Sequence, residues 1–147
     1  MASKTEQPPI KTMLQAIDFV SELEEQKTSH RKEIMRILLG FLEVKDSLEH
    51  ILAEHPMNQQ EGQVFLKPIE LLLRQMDRAF EQSDVQTIEC IGQEVDPEIH
   101  QIVQVVECVD EMADQCVLAE KVKGYLYRNE LLRRPQVVVG KCQRESL

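Results

Sequence analysis

The sequence predicts an α+β protein in which long paired helices and a dimeric four-helix bundle are followed by a small all-β wing domain. Three features of the 147-residue chain lead to this prediction. Residues 10–39 contain neither Gly nor Pro and carry apolar side chains at alternating spacings of three and four. A second amphipathic stretch follows at residues 63–82, and short β-branched runs separated by polar segments begin at residue 102. This architecture suits a protein that holds a partner and pushes on it, and it requires no catalytic residues.

The first helix is expected to begin near Ile10 and to end at His55-Pro56. Residues 1–9 form a polar lead-in that ends in two prolines, and we expect this lead-in to be disordered. The helix should be roughly 65 Å long at about 1.5 Å per residue. Its apolar stripe supplies most of the predicted dimer interface: Ile34, Leu38, Phe41, Leu48 and Leu52.

A polar interruption of about two turns divides this stripe at Glu24, Lys27 and Arg31. In one interpretation the seam passes through Leu23 and rejoins at Ile34, an eleven-residue step that locally unwinds a coiled coil. In the other, the paired helices separate there and expose residues 24–33 to water or to a partner. We interpret this segment as a solvated face, with a role as a secondary contact region as the alternative. Further along, the stripe is interrupted once more by a single charged residue, lysine 45.

A loop over Met57–Gly62 should lead into a second helix from about Gln63 to Gln82. Its apolar face adds Leu72 and Met76 to the predicted dimer interface. Two amphipathic helices of unequal length cannot cover both apolar stripes within one chain. Two copies would supply four helices, so we expect a homodimer.

The rest of the chain predicts a β-wing domain over residues 85–142, followed by a tail of residues 143–147. The apolar runs at 102–106, 116–118, 122–127 and 131–139 predict short strands in a compact antiparallel unit. A turn signal, Asp96-Pro97, precedes them. We expect His100 to cap or bond this turn, a structural role rather than a catalytic one.

Charge and composition exclude several functional classes. The formal net charge is −9 and the pI is about 5.0, which disfavours binding to nucleic acid. No apolar run approaches the roughly eighteen residues of a membrane span, and the N-terminus lacks a hydrophobic signal region. We therefore expect no membrane association and a cytoplasmic location.

The four cysteines indicate free thiols rather than a metal site or disulfides. Cys90, Cys108, Cys116 and Cys142 include no C-x-x-C pair, and thiols stay reduced in a cytosol. A zinc site built from Cys108, Cys116 and His100 would match no common ligand spacing. The chain also lacks a glycine-rich phosphate loop and a distinct pair of acid–base carboxylates. We expect no cofactor, no metal and no enzymatic activity.

Charge is split within the predicted wing. Residues 84–120 contain ten acidic residues and no Lys or Arg, whereas residues 121–141 contain six basic residues and one acid, Glu130. Opposite charges could pair across neighbouring strands, each exposed pair contributing less than about 1 kcal/mol. Alternatively, the basic hairpin could face an acidic patch on another protein and steer its approach.

Four segments of the chain, in order, resemble the GrpE family, the nucleotide exchange factors of DnaK-type heat-shock chaperones. The leucine-rich stretch Phe41–Leu52 resembles a family helix with an Asp, a small polar residue and Leu at its centre. Residues 69–92 resemble the second bundle helix and its exit into the head. The stretch Val95–His100 is similar to the family motif Phe-Asp-Pro-x-x-His, and residues 123–141 resemble the closing hairpin. The resemblance covers about residues 34–142.

The resemblance implies a homodimer with paired helices, a four-helix bundle and two β-wings. One wing would dock on the ATPase domain of the chaperone and open its nucleotide cleft, so that ADP leaves without bond chemistry. The residues expected to bind this partner are Leu126, Glu130, Arg133, Val139 and Tyr125. Tyr125 and Tyr127 alternate along a strand, so they should share a face opposite Leu126.

The hairpin tip departs from the family pattern. The usual Asn-Gly-Arg reads Arg128-Asn129-Glu130, which places an acid where the family has a basic residue. A two-residue type I′ turn needs positive φ at both positions and would cost Arg128 about 1–2 kcal/mol, so a longer loop or another turn type is expected. The alternative function is a divergent GrpE-like scaffold that has lost exchange activity or serves another partner.

Overall fold

The computed structural model describes residues 9–55 and 60–142. The predicted lead-in, except for Pro9, lies outside the described residues, as do positions 56–59 and the tail. The fold class is α+β, as predicted, with two helices before a β-rich region. By contacts the chain divides into two compact units, residues 1–38 and 39–147. The second unit contains all of the β-region, α2 and the part of α1 from Leu39 onwards. Ile34 and Leu38 of the apolar stripe belong to the first unit.

Helix α1 spans Ile10–Glu54 and α2 spans Gln60–Gln82. The predicted bounds of α1 are confirmed, because it begins after Pro9 and ends just before His55. The helix runs without a break through the polar residues 24–33, which are exposed except for the partly buried Arg31. The predicted start of α2 is wrong: residues 60–62 are helical rather than part of a loop. Pro68 therefore lies well inside α2, where it cannot donate a backbone hydrogen bond.

The β-region contains six strands in two three-stranded sheets. The strands are β1 (Val85–Thr87), β2 (Gln101–Cys108), β3 (Val117–Val122), β4 (Tyr125–Tyr127), β5 (Glu130–Arg133) and β6 (Gln136–Cys142), with a 3₁₀ turn at Glu111–Ala113 between β2 and β3. One sheet has the order β1-β4-β5 and is antiparallel, and the other has the order β2-β6-β3.

The prediction of a wholly antiparallel unit is wrong, because β2 pairs with β6 in parallel. Three strands separate these two along the chain, which supplies the long crossover that parallel neighbours need. Two predicted strands are also divided. Lys123-Gly124 separates β3 from β4, and Arg134-Pro135 separates β5 from β6. The two breaks pack together, since a Cβ added at Gly124 would collide with the ring of Pro135.

The turn between β4 and β5 has two residues, so the expected longer loop or other turn type is wrong. Tyr127 pairs with Glu130, and the intervening Arg128 and Asn129 have φ values of 48° and 63°. Positive φ at both positions is the backbone signature of a type I′ turn. The Arg128 side chain lies over the Tyr127 ring at 5.5 Å and its backbone N–H donates to the Asp84 carbonyl, so local contacts offset the cost.

A small apolar core lies against the sheet formed by β2, β6 and β3. Val117 of β3 and Val137 and Val139 of β6 cluster with the buried Cys90, and Ile88 and Val95, which precede β2 in the chain, pack against this cluster. The predicted capping role of His100 is confirmed, since its Nδ1 accepts the Asp96 backbone N–H at 2.9 Å. This turn positions the start of β2.

Candidate functional site

A group of ion pairs and hydrogen bonds joins the helices to the wing within the second unit. We define the junction network as Lys45, Asp46 and Glu49 of α1, Asp77 of α2, and Lys123, Tyr125 and Arg133 of the wing. Lys45 and Glu49 are four residues apart and lie on one face of α1. Tyr125 and Arg133 are direct partners in the β4–β5 ladder. Carboxylates and an ammonium group on the helices thus face basic side chains and a hydroxyl on the wing.

Lys45 is the buried centre of this network. It is 3% exposed, although its position in the stripe made it look like an interruption of a dimer seam. Its Nζ donates to the Tyr125 hydroxyl at 2.8 Å and lies 2.8 Å from Asp77 Oδ1 and 3.4 Å from Glu49 Oε1. The same ammonium stands 5.2 Å from the Tyr125 ring centroid. One charge therefore contacts α1, α2 and β4.

Burial by itself acts to lower the pKa of Lys45, because it disfavours the charged form. The hydrogen bonds with Asp77 and Tyr125 and the charge of Glu49 act in the other direction and prevail, so the pKa lies above its ordinary value. Lys45 is consequently an ammonium ion across the neutral range. It stabilises the fold as a cation and is unsuited to act as a base.

Arg133 makes the second link between helix and wing. Its guanidinium binds Asp46 in a bidentate manner, with N–O distances of 2.7 and 3.1 Å, and its Nε donates to the Lys123 carbonyl at 2.9 Å. It also lies 5.4 Å from the Tyr125 ring. Lys123 adds a third link through Glu49 at 3.0 Å. Lys123 and Arg133 thus pair with acids of α1. Neither pairing across neighbouring strands nor an acidic patch on another protein, the two explanations of the charge split, predicted these contacts.

The predicted partner-binding residues occupy different environments. Tyr125 and Val139 are 1% and 5% exposed, so they are core residues that offer almost no surface to another protein. Arg133 is mostly engaged with Asp46. Leu126 is half-buried on the face opposite Tyr125, as its position in the strand predicted, and Glu130 is exposed at the hairpin tip.

Leu126 has an apolar neighbour that the sequence interpretation did not single out. It pairs directly with Leu131, which is 39% exposed. We call Leu126, Glu130 and Leu131 the hairpin surface. Leu126 and Leu131 lie side by side on one face of the hairpin, and Glu130, the ladder partner of Tyr127, places a carboxylate next to the hairpin tip.

The residues predicted to form the dimer interface keep much of their apolar surface uncovered within one chain. Ile34, Phe41 and Leu72 are 42%, 56% and 49% exposed. Leu38, Leu48, Leu52 and Met76 are partly buried. The uncovered apolar area on each helix is what association with a second copy would require.

A cavity of about 750 Å³ lies beside the junction network. Lys45, Asp77, Glu120 and Cys90 are among its lining residues. Burial, together with the nearby Glu120 carboxylate, raises the pKa of Cys90 to about 12. The Cys90 thiol is thus protonated at neutral pH and is a poor nucleophile.

The part of the chain that the structure describes contains neither a membrane-spanning helix nor a cluster of potential metal ligands. Within 9–55 and 60–142, no helix is both long and apolar enough to cross a membrane. Nor does that part of the chain hold a group of three or more His, Cys, Asp or Glu side chains suited to a metal ion. His100, Cys108 and Cys116 are therefore not gathered into a zinc site.

Comparison with known proteins identifies the same family throughout. The family model described as GrpE matches residues 14–141. The chain is 34% identical to Protein GrpE of Carboxydothermus hydrogenoformans over 111 residues, which cover 76% of this chain and 55% of that protein. It is 34% identical to Protein GrpE of Brachyspira hyodysenteriae over 80% of this chain and 58% of that protein. It is 30% identical to Protein GrpE of Bacillus subtilis over 79% of this chain and 61% of that protein. The chain thus spans between half and two thirds of the length of these relatives.

The Asp46–Arg133 pair should contribute more to stability than an exposed ion pair. We expect a double-mutant cycle with Asp46→Ala and Arg133→Ala, followed by urea unfolding, to give a coupling free energy of about 1–2 kcal/mol, because the contact is bidentate and partly desolvated. The matched control is Asp84–Arg128, whose side chains are 67% and 62% exposed and 3.6 Å apart. Its coupling should be below about 0.5 kcal/mol. Equal coupling in both cycles would contradict this interpretation of the junction.

Proposed function

The chain belongs to the GrpE family, and we propose that it is a co-chaperone that accelerates ADP release from a DnaK-type chaperone. In this proposal the wing docks on the ATPase domain and favours the open nucleotide cleft. No covalent chemistry is needed, so the chain would act as an exchange factor and not as an enzyme. We place this activity in the cytoplasm.

Two findings together support the proposal: the chain belongs to this family, and the junction network attaches its wing to the helices. A docked wing can shift the cleft only if it binds the open state more tightly than the closed state. A loosely attached wing would follow the cleft in both states and discriminate little between them. Lys45 and Asp46 hold β4 and β5 against the helices, which supports a wing rigid enough to discriminate. ADP and the exchange factor would then weaken each other's binding by the same factor.

We assign docking to the hairpin surface and revise the roles of the other predicted residues. Leu126 and Leu131 supply adjacent apolar side chains, and Glu130 sets the charge at the tip. Tyr125 and Val139, being buried, would support this surface from within the fold. Arg133 would position the wing through Asp46.

The function also requires a second copy in this proposal. The exposed apolar residues of α1 and α2 would form paired helices and a four-helix bundle between two chains. Burial of apolar surface contributes about 25 cal/mol per Å², so even a modest part of these stripes would support association.

One observation favours the alternative of a scaffold without exchange activity. Glu130 is exposed at the position where the resemblance leads us to expect a basic residue. A carboxylate there would repel an acidic docking site on the chaperone. The chain would then hold a different partner with the same rigid wing.

Release of fluorescent ADP from a DnaK-type chaperone, followed by stopped flow, separates the two functions. We expect the wild-type chain to accelerate release at least tenfold, and Asp46→Ala to reduce this acceleration about as much as Arg133→Ala, because both loosen the wing. If only Arg133→Ala reduced it, Arg133 would contact the chaperone directly and its positioning role would be wrong. No acceleration at saturating wild-type chain would favour the scaffold.

The charge at the hairpin tip gives a second test. We expect Glu130→Arg to tighten binding to the chaperone about three- to tenfold at low salt, with a smaller gain at high salt, because the repulsion is removed and then screened. Glu43→Arg makes the same charge change on an exposed position of α1 and should leave affinity nearly unchanged. Weaker binding of Glu130→Arg would mean that the partner carries a complementary basic site.

Dimerisation through the apolar stripe is tested by sedimentation velocity over a concentration series. Phe41→Glu should weaken the dimer by at least about tenfold, since it places a charge in the interface. Val109→Glu is the matched control, because Val109 is fully exposed but lies in the wing. A monomeric wild-type chain at micromolar concentration, or an equal effect of both substitutions, would contradict the proposed interface.

A further inference from the structure

Two cysteines face each other across strands β2 and β6, at the ends of both. Cys108 and Cys142 are direct partners in the parallel ladder. The Sγ atom of Cys108 lies 3.5 Å from that of Cys142, and both side chains are partly buried. Neighbouring strands are about 4.8 Å apart, which falls within the Cα separation that disulfides require. The backbone is therefore already placed for a covalent bond between the two sulfurs.

We propose that Cys108 and Cys142 form a dithiol modification site, which a low-molecular-weight disulfide converts into an intramolecular disulfide between β2 and β6. In the first step the thiolate of Cys108 attacks a sulfur of the small disulfide and releases one small thiol. We assign this step to Cys108 because burial and the hydrogen bond with Cys108 raise the pKa of Cys142 to about 11. In the second step the other cysteine attacks the mixed disulfide and releases the second small thiol. The cysteines lose two electrons, which reduce the small disulfide, and their two protons are carried by the released thiols.

The other two cysteines are not placed for this reaction. Cys90 lies in the core at 1% exposure, and its thiol donates to the Ile88 carbonyl. The Cys116 thiol donates to the Met112 carbonyl at 3.3 Å. By contrast, the Cys142 thiol donates to the carbonyl of Cys108 at 3.1 Å, so the pair is held together by two contacts. The geometry selects Cys108 and Cys142 from the four.

The disulfide would act on the least covered strand of the wing. In its sheet β2 has one strand neighbour, β6, and seven of its eight residues are exposed. A bond between residues 34 positions apart would restrict the unfolded chain and pin the end of β2 to β6. We expect oxidation to raise the melting temperature of the wing by about 5–10 °C.

The test uses the full chain with oxidised glutathione as the probe. After incubation, free thiols are alkylated and the chain is digested with trypsin and a protease that cleaves after glutamate. Because Cys108 and Cys116 then lie in different peptides, mass spectrometry should find residues 108–111 linked to residues 142–144. Two alkylatable thiols per chain should be lost, and dithiothreitol should restore both.

Three controls make the outcome decisive. A mixture of isotopically labelled and unlabelled chains should give no mixed linked peptide if the bond is intramolecular. Cys116→Ser should form the linkage like the wild type, whereas Cys108→Ser should lose both the linkage and the oxidation-dependent rise in melting temperature. A linkage to Cys116, a bond between chains, or thiols of Cys108 and Cys142 that both remain alkylatable at equilibrium would each overturn the proposal. None of these measurements depends on exchange activity.

Discussion

The solvation of one buried ammonium constrains the arrangement of helices and wing. Lys45 is 3% exposed, and the groups that replace its water come from α1, α2 and β4. A buried charge contributes little net stability compared with a well-packed apolar residue, but it strongly penalises any arrangement in which a partner is missing. Displacing β4 would leave Lys45 without the Tyr125 hydroxyl. The Asp46–Arg133 and Lys123–Glu49 pairs, which are closer to the surface, add two further contacts between α1 and the wing.

This constraint assigns different tasks to the two faces of one hairpin. The residues of β4 alternate, so Tyr125 and Tyr127 are buried while Leu126 lies on the other face beside Leu131. The inner face is tied to the helices by charge and hydrogen bonds, and the outer face, with the half-buried Leu126 and the exposed Leu131, is the proposed docking face. An exchange factor that works by differential binding needs both properties together. The network therefore links the structural core of the wing to the proposed docking function.

The sequence predicted the parts of the fold that depend on local pattern. The bounds of α1 follow from Pro9 and Pro56 and from the absence of Gly and Pro over residues 10–39, and the alternation in β4 follows from the period of a strand. Parallel pairing of β2 with β6 was not predictable, because strand order is a property of tertiary contacts. The prediction for the turn at Arg128 is wrong for a similar reason. Contacts with Tyr127 and Asp84 offset the cost of its positive φ, and the proximity of Asp84 is not visible in the sequence.

The candidate site shows the same limit more sharply. In the sequence, Lys45 interrupts an apolar stripe. A charge at such a position can equally indicate that the folded chain supplies a buried ion-pair partner. Its partners Asp77 and Tyr125 lie 32 and 80 positions away, and no spacing rule connects them. Arg133 is predicted from the sequence to bind a partner, whereas its bidentate contact with Asp46 indicates a positioning role that the residue type alone does not reveal.

The wing is consequently held very differently at its two sides. Strands β4 and β5 and the adjoining Lys123 are attached to α1 through three contacts: Lys45–Tyr125, Asp46–Arg133 and Glu49–Lys123. By contrast, β2 lies at a sheet edge, and its residues Ile102, Val103, Val105 and Val106 are between 38% and 56% exposed. Local stability follows the density of buried contacts, so β2 should open before the hairpin does. A disulfide between Cys108 and Cys142 would strengthen only this weaker side. Oxidation could thus change how readily the wing unfolds while leaving the junction that orients it unchanged.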